Sequence, residues 1–193
     1  MFSSVKKGFV EVICGPMFAG KTTELIKRIE FLKLSGFSFL VFKPQIDNRY
    51  SVENELITHN FKTFPSLIIK ESLEILNFVN KKTEYLVLDE AQFFDNKIEK
   101  ILNDLSYQGI NIIIGGLDLD FCGRPFGSMQ YLLSISDKVT KLKSCCAVCG
   151  EEASRTQRIV DGKIPKNNET IILIGGNNFH EPRCKKCHKF FKF

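Results

Sequence analysis

The stretch that decides the fold runs from Phe9 to Ile29: FVEVICGPMFAGKTTELIKRI. Phe9 to Ile13 is a short, nearly continuous apolar run, the pattern of a buried strand. It leads into Gly15-Pro16-Met17-Phe18-Ala19-Gly20-Lys21-Thr22, which matches G-x-x-x-x-G-K-[ST]. A helix follows, because Leu25, Ile29 and Leu32 recur at i, i+4 and i+7 and Glu24 stands four residues before Arg28. Gly36 supplies a stop. Strand, glycine loop and helix in that order read as a phosphate cradle. The glycines let the backbone wrap closely, so that its N–H groups face phosphate oxygens, and the helix N-terminus adds a favourable dipole. Lys21 brings a point charge for the β- and γ-phosphates of ATP, and Thr22 a hydroxyl ligand for Mg²⁺. A chance glycine turn is the plainer alternative; the flanking elements count against it.

The same alternation continues outward. Ser38 to Phe42 reads as a second strand, followed by the polar stretch Gln45 to Asn60. Leu67 to Val79 is mostly apolar with interspersed charge and is expected to be helical. Tyr85 to Leu88 is a third strand. Ile98, Ile101, Leu102 and Leu105 mark a helix that Asp95 or Asn96 can cap and Gly109 ends. Ile110 to Ile114 is a fourth strand. Apolar strands alternating with helices predict an α/β fold: a P-loop, RecA-like, mainly parallel sheet with helices on both faces. Near residue 143 the pattern changes to cysteines, glycines and short alternating segments. The expected division is a phosphoryl-transfer domain over 1–142 and a small zinc-binding domain over 143–193.

The third strand runs into Asp89-Glu90, within YLVLDEAQFF. Asp89, at a strand end facing the cradle, suits a Mg²⁺ position. Glu90 diverges from it, as successive strand residues do. A carboxylate near the γ-phosphate suits removal of a proton from an attacking hydroxyl or water. Two acids that merely end a strand are the plainer alternative.

The chain has 193 residues, 44% hydrophobic and 25% charged, enough for one sizeable α/β domain and too short for two nucleotide-binding lobes. No apolar run approaches the ~18 residues of a membrane helix. The N-terminus has no signal-peptide pattern, and a cytoplasmic location is expected. The net charge of +5 suits an anionic ligand or a merely basic surface. Seven cysteines without an export signal point to metal before disulfide. Cys146-x-x-Cys149 and Cys184-x-x-Cys187 can supply four thiolates to a tetrahedral structural Zn²⁺. The long intervening stretch then hangs as a loop from the site. Cys145 and His188 adjoin the ligands as bystanders. Cys14 and Cys122 read as small apolar residues, and Phe18 and Phe94 as core.

Taken together, GPMFAGKTTELIKRI, FKPQIDNRY, LDEAQFF, GLDLDFCGRPFG, CAVCGEEASRTQR and IGGNNFHEPRCKKC resemble, in order, the zinc-bearing cellular type of thymidine kinase. The resemblance spans nearly the whole chain. It implies transfer of the γ-phosphoryl group of ATP to the 5′-hydroxyl of thymidine, with deoxyuridine as a secondary substrate. It implies Glu90 as the general base, and Asp47 and Arg49 near the reacting phosphates, with Arg49 stabilising the transferring charge. It points to Met17, Phe93, Leu117, Phe121, Phe126 and Thr156 as the thymine pocket. A lasso loop over roughly 164–182, with Leu173, Ile174, Gly175 and Gly176, would hold the base through backbone groups. His180, beside Phe179, stands where most members carry tyrosine. The family further implies a homotetramer inhibited by dTTP, with no nucleic-acid or membrane partner.

Two other classes compete. A zinc-ribbon P-loop ATPase acting on nucleic acid would use the DEAQ segment and the basic residues Arg183, Lys185, Lys186, Lys189 and Lys192. RNA helicases, which share the P-loop and a DEA-x segment, use two lobes, a Ser-Ala-Thr triplet and an arginine-rich late motif; neither motif is found in this sequence, and its length leaves no room for a second lobe. A non-catalytic zinc-ribbon module would not need the cradle and the acidic pair.

Overall fold

The computed structural model describes residues 7–45, 55–57, 63–160, 162–164 and 178–190. Among them, six strands form one parallel sheet in the order β5-β2-β6-β7-β1-β8. These are β1 (Val10–Cys14), β2 (Phe39–Pro44), β5 (Leu67–Ile69), β6 (Tyr85–Leu88), β7 (Asn111–Gly116) and β8 (Lys138–Lys141). Their connections carry α1 (Lys21–Leu34), the one-turn α2 (Ile75–Phe78), α3 (Ile98–Tyr107) and α4 (Met129–Ile135). A short antiparallel pair, β3 (Glu55–Ile57) with β4 (Thr63–Pro65), precedes β5.

The two-residue period of a strand sends alternate side chains to opposite faces. Val10, Val12 and Cys14 of β1 join Leu86, Leu88, Ile112 and Ile114 under α3 and α4. Ile13, Val41, Val87 and Ile113 face the other way, under Leu25, Ile26, Ile29 and Leu32 of α1. Both faces are therefore dry, which is why the central strands read as unbroken apolar runs. Glu11 is the exception on the α1 face. Its carboxylate accepts two hydrogen bonds from Arg28, at 3.1 and 3.2 Å, one from Thr140, and pairs with Lys138. Arg28 also reaches Glu24 at 2.7 Å, the expected i, i+4 pair.

The expected helix over 67–79 is corrected. Leu67–Ile69 pairs with Phe42–Pro44 as an outer strand, and only a 3₁₀ turn (Ser72–Glu74) and α2 follow. The apolar run is short enough to serve either way, and β2 needs a neighbour on that side. Asp95 does not cap α3 at its N-cap position, which is Lys97. It accepts instead from the N–H groups of Lys97 and Ser72.

After β8 the large sheet ends. Two small antiparallel pairs follow: β9 (Ser144–Cys145) with β10 (Glu152–Ala153), and β11 (Arg155–Val160) with β12 (Asn178–Arg183).

Candidate active site

In a parallel sheet, ligands sit beyond the carboxyl ends of the strands. Here β1 ends in the glycine loop, β6 ends in Asp89-Glu90, and β7, which lies between them, ends in Leu117-Asp118. A cavity of about 350 Å³ lined by Phe9, Glu11, Arg28 and Tyr85 lies elsewhere among the described residues. It opens at the amino ends of the strands, away from these groups.

Strand, glycine loop and helix form as the sequence predicts. Gly20 takes a left-handed conformation and Lys21 opens α1, whose first turn carries no side-chain cap. Its N–H groups are thus available to an anion. Phe18 also has positive φ, at 62°, and is 48% exposed. That corrects its expected place in the core; Phe94 is buried as expected. Lys21 Nζ donates to the Pro16 carbonyl at 2.8 Å. Burial draws its ammonium below the usual lysine range, against the opposing charges of Glu90, Asp89 and Asp118. Thr22 Oγ1 donates to Asp89 Oδ2 at 3.4 Å, so the two groups expected to share Mg²⁺ face each other. Burial, and after it the charge of Glu90, pushes the Asp89 carboxyl up to about 7. A divalent cation between Thr22 and Asp89 answers that buried carboxylate, so the donor set fits Mg²⁺.

Glu90 sits in the left-handed region, φ 53° and ψ 41°. Such a backbone costs a non-glycine residue about 1–3 kcal/mol and clusters at functional sites. Its half-buried carboxylate meets Gln92, whose Nε2 donates to Glu90 Oε2 at 2.5 Å. Gln92 Oε1 accepts from the Leu117 N–H at 2.9 Å.

The loop from Leu117 to Gly127 is braced internally. Asp120 Oδ1 accepts from the N–H groups of Cys122 and Arg124, and the Asp118 carbonyl from Phe126 N–H. Phe126 stands edge-on to Phe93 with centroids 5.3 Å apart. Phe121 is buried beneath the guanidinium of Arg158, 5.1 Å above its ring. Thr156 Oγ1 accepts from Met17 N–H at 3.0 Å, joining β11 to the cradle. So the structure links Met17 to Thr156, Phe93 to Phe126, and Leu117 to Glu90 through Gln92. Asp47, Arg49, Leu173, Ile174, Gly175 and Gly176 lie outside the described residues. His180 lies on β12 opposite Arg158, half-buried; burial, and then the Arg158 charge, favour its neutral form.

The Sγ atoms of Cys146, Cys149, Cys184 and Cys187 lie within 4.8 Å of one another, with Cys149 and Cys184 3.6 Å apart. Burial would raise the Cys146 thiol, but backbone N–H groups of Cys184, Val148 and Cys149 outweigh it and bring it down to about 6. Four converging sulfurs with thiolate-stabilising amides fit a closed tetrahedral Zn²⁺ site. Cys145 is exposed and its thiol donates to the Gly150 carbonyl. His188 Nε2 meets the Phe121 carbonyl at 2.9 Å and the Lys189 N–H donates to Gln157 Oε1, so the Cys184–Cys187 segment is tied to the Phe121 loop and to β11.

Sequence reasoning missed Gln92, Arg158 and His188 as site-building groups. Only Gln92 left a trace, as the fourth letter of DEAQ. A fully buried arginine carries no periodic signal.

Comparison with known proteins agrees with this geometry. The family model described as "Thymidine kinase" matches residues 8–188. A thymidine kinase of Onion yellows phytoplasma (strain OY-M) is 52% identical over 182 residues, covering 94% of this chain and 87% of the relative. One of Aster yellows witches'-broom phytoplasma (strain AYWB) is 51% identical over 183 residues, with the same coverage. With the family matched from before β1 to just past Cys187, the chain belongs to the thymidine kinase family.

Proposed function

We propose that this chain phosphorylates thymidine, moving the γ-phosphoryl group of ATP to the 5′-hydroxyl to give dTMP in nucleotide salvage, with deoxyuridine as a weaker substrate. The carrying observation is the juxtaposition of Lys21 and Thr22 with Asp89, and of Glu90 beside them, at one end of the sheet in a chain of this family.

In this reading the cradle N–H groups and Lys21 hold the ATP phosphates. Mg²⁺, held by Thr22 and Asp89, would supply neutralising charge on the β- and γ-phosphates. Glu90 takes the proton of the 5′-hydroxyl as that oxygen bonds to the γ-phosphorus and the bond to ADP breaks. Arg49 offsets charge on the transferring group, and Asp47 helps to place the phosphates. Met17, Phe93, Leu117, Phe121, Phe126 and Thr156 enclose the thymine. The backbone of Leu173, Ile174, Gly175 and Gly176 reads its polar edge, where a cytosine would leave buried groups unpaired. His180 replaces a tyrosine at the sugar. Zn²⁺ would fasten both ends of that loop, and residues 143–193 form the unit that carries it. Feedback inhibition by dTTP, a homotetramer and a cytoplasmic location complete the reading.

A panel of nucleosides with ATP and Mg²⁺ tests it, monophosphate being measured. Thymidine should turn over fastest. Turnover of another nucleoside without thymidine refutes the substrate; ATP hydrolysis stimulated by single-stranded nucleic acid favours the zinc-ribbon ATPase instead.

A further inference from the structure

Gln92 is a polar side chain that the scheme above leaves idle, yet it is only 3% exposed. A buried amide needs partners at both ends. It has them: Nε2 donates to Glu90 Oε2, and Oε1 accepts from Leu117 N–H. Both partners belong to the reaction as read above, one as the base and one as a pocket wall.

The surroundings are shaped around this residue. A Cβ on Gly116 would come within 2.8 Å of Gln92 Oε1 and 2.7 Å of Met129 Sδ. A Cβ on Gly127 would come within 2.0 Å of the Gln92 carbonyl oxygen. Ser128 Oγ donates to the Phe94 carbonyl at 2.8 Å, and Phe93 rests on Phe126. The segment after Glu90 is thus clamped to the loop after β7 along its length. Glu90 itself holds a costly left-handed backbone. A side chain on such a turn needs an external restraint to keep one orientation.

We infer that Gln92 is a positioning residue for the phosphoryl transfer, its Nε2 holding the Glu90 carboxylate in place while its Oε1 anchors that carboxylate to the Leu117 wall of the nucleoside pocket. The inference rests on the reading of Glu90 as the base. Only an amide of this length does both. Glutamate keeps the acceptor for Leu117 but loses the donor and faces Glu90 with like charge. Methionine keeps the volume and loses both polar ends.

The test uses steady-state kinetics of the full chain with thymidine, ATP and Mg²⁺, on variants shown by melting curves to fold. Gln92→Glu should lower kcat about 10–100-fold, as misplacement of a reacting group does, while the KM for thymidine stays within about threefold because the Leu117 arm survives. Gln92→Met should lower kcat comparably and also raise KM. On a Glu90→Gln background, Gln92→Glu should cost less than about twofold more, since groups acting as a unit are not additive. A Gln92→Glu enzyme with kcat within twofold of wild type overturns the inference. So does a loss that multiplies in full onto Glu90→Gln. If Glu90→Gln alone keeps near-normal turnover, the base reading fails first and the inference with it; that result is distinct from a failure at Gln92 alone. Should neither variant fold, a crystal structure of the wild-type thymidine complex decides. Gln92 Nε2 within hydrogen-bond reach of Glu90 supports the inference, and a separation beyond about 3.5 Å overturns it.

Discussion

Replacing Gly127 by alanine tests how closely the base-bearing turn is packed on the pocket loop. Gly127 has φ 50°, and an added Cβ would sit 2.0 Å from the Gln92 carbonyl oxygen, where ordinary contact begins at 3.4 Å. The obstacle is backbone, so the two segments must part by roughly 1.4 Å. Forcing alanine into a left-handed conformation costs about 1–2 kcal/mol, and overpacking a further ~1–3 kcal/mol. At ~2–4 °C per kcal/mol for a chain of this size, Tm should fall by about 5–15 °C. Gly36→Ala is the control. It also has positive φ, at 74°, but nothing lies within 4 Å of its would-be Cβ. Both changes share the gain of about 0.4–1 kcal/mol from a stiffer unfolded chain, so the control should lose only about 1–4 °C. The displacement carries Gln92 away from Glu90, and kcat of Gly127→Ala should fall about 10–100-fold. Gly36→Ala should stay within twofold of wild type. Calorimetry and steady-state kinetics read both quantities. Equal losses in Tm, or full turnover in Gly127→Ala, would refute the close packing on which the site is built.

Two further outcomes follow from the geometry. The partners of Glu11 hold its carboxyl below the ordinary value of 4.5: burial raises it, and Arg28 and Lys138 more than compensate. Its contribution is therefore complete above that value, weakens below it, and is lost as pH falls through the lowered value of the folded state. Glu11→Gln should cost about 1.5–3 kcal/mol in urea unfolding at pH 7, and that cost should shrink steadily as the pH is lowered below 4.5. A cost that does not shrink as the pH falls would contradict the ion-pair account. Zinc content should be about one per chain, and Cys149→Ser should lose it together with thymidine affinity; a metal-free protein that binds thymidine normally would speak against a lasso held by zinc.

The elements that the sequence makes plain are those with both faces buried. Tyr85–Leu88 is a strand at the expected residues, and Leu25, Ile29 and Leu32 are all in the core. The edges are harder. β8 reads KVTK, since an outer strand needs charge rather than apolar continuity, so its sequence carries no strand signal. Leu67–Ile69 fits a helix or a strand equally, because three apolar residues have no period of their own; its pairing with β2 decides it. Phe18, apolar and next to a buried strand, has the composition of a core residue, but the left-handed turn of the glycine loop throws it outward. In the site, residue types at motif spacing gave the cradle, the acidic pair and the four sulfurs. The contacts that orient them, Gln92 to Glu90, Arg158 over Phe121 and His188 to the Phe121 carbonyl, join residues distant in sequence or without a motif, and only the folded chain brings them together.

The central claim is that Glu90 takes the proton from the nucleoside hydroxyl. Glu90→Gln keeps the side chain's size and an acceptor for Gln92 while removing the base. With thymidine, ATP and Mg²⁺, its kcat should fall by about 10²-fold or more with ATP affinity within about twofold of wild type. Turnover close to that of the wild-type enzyme would contradict the account.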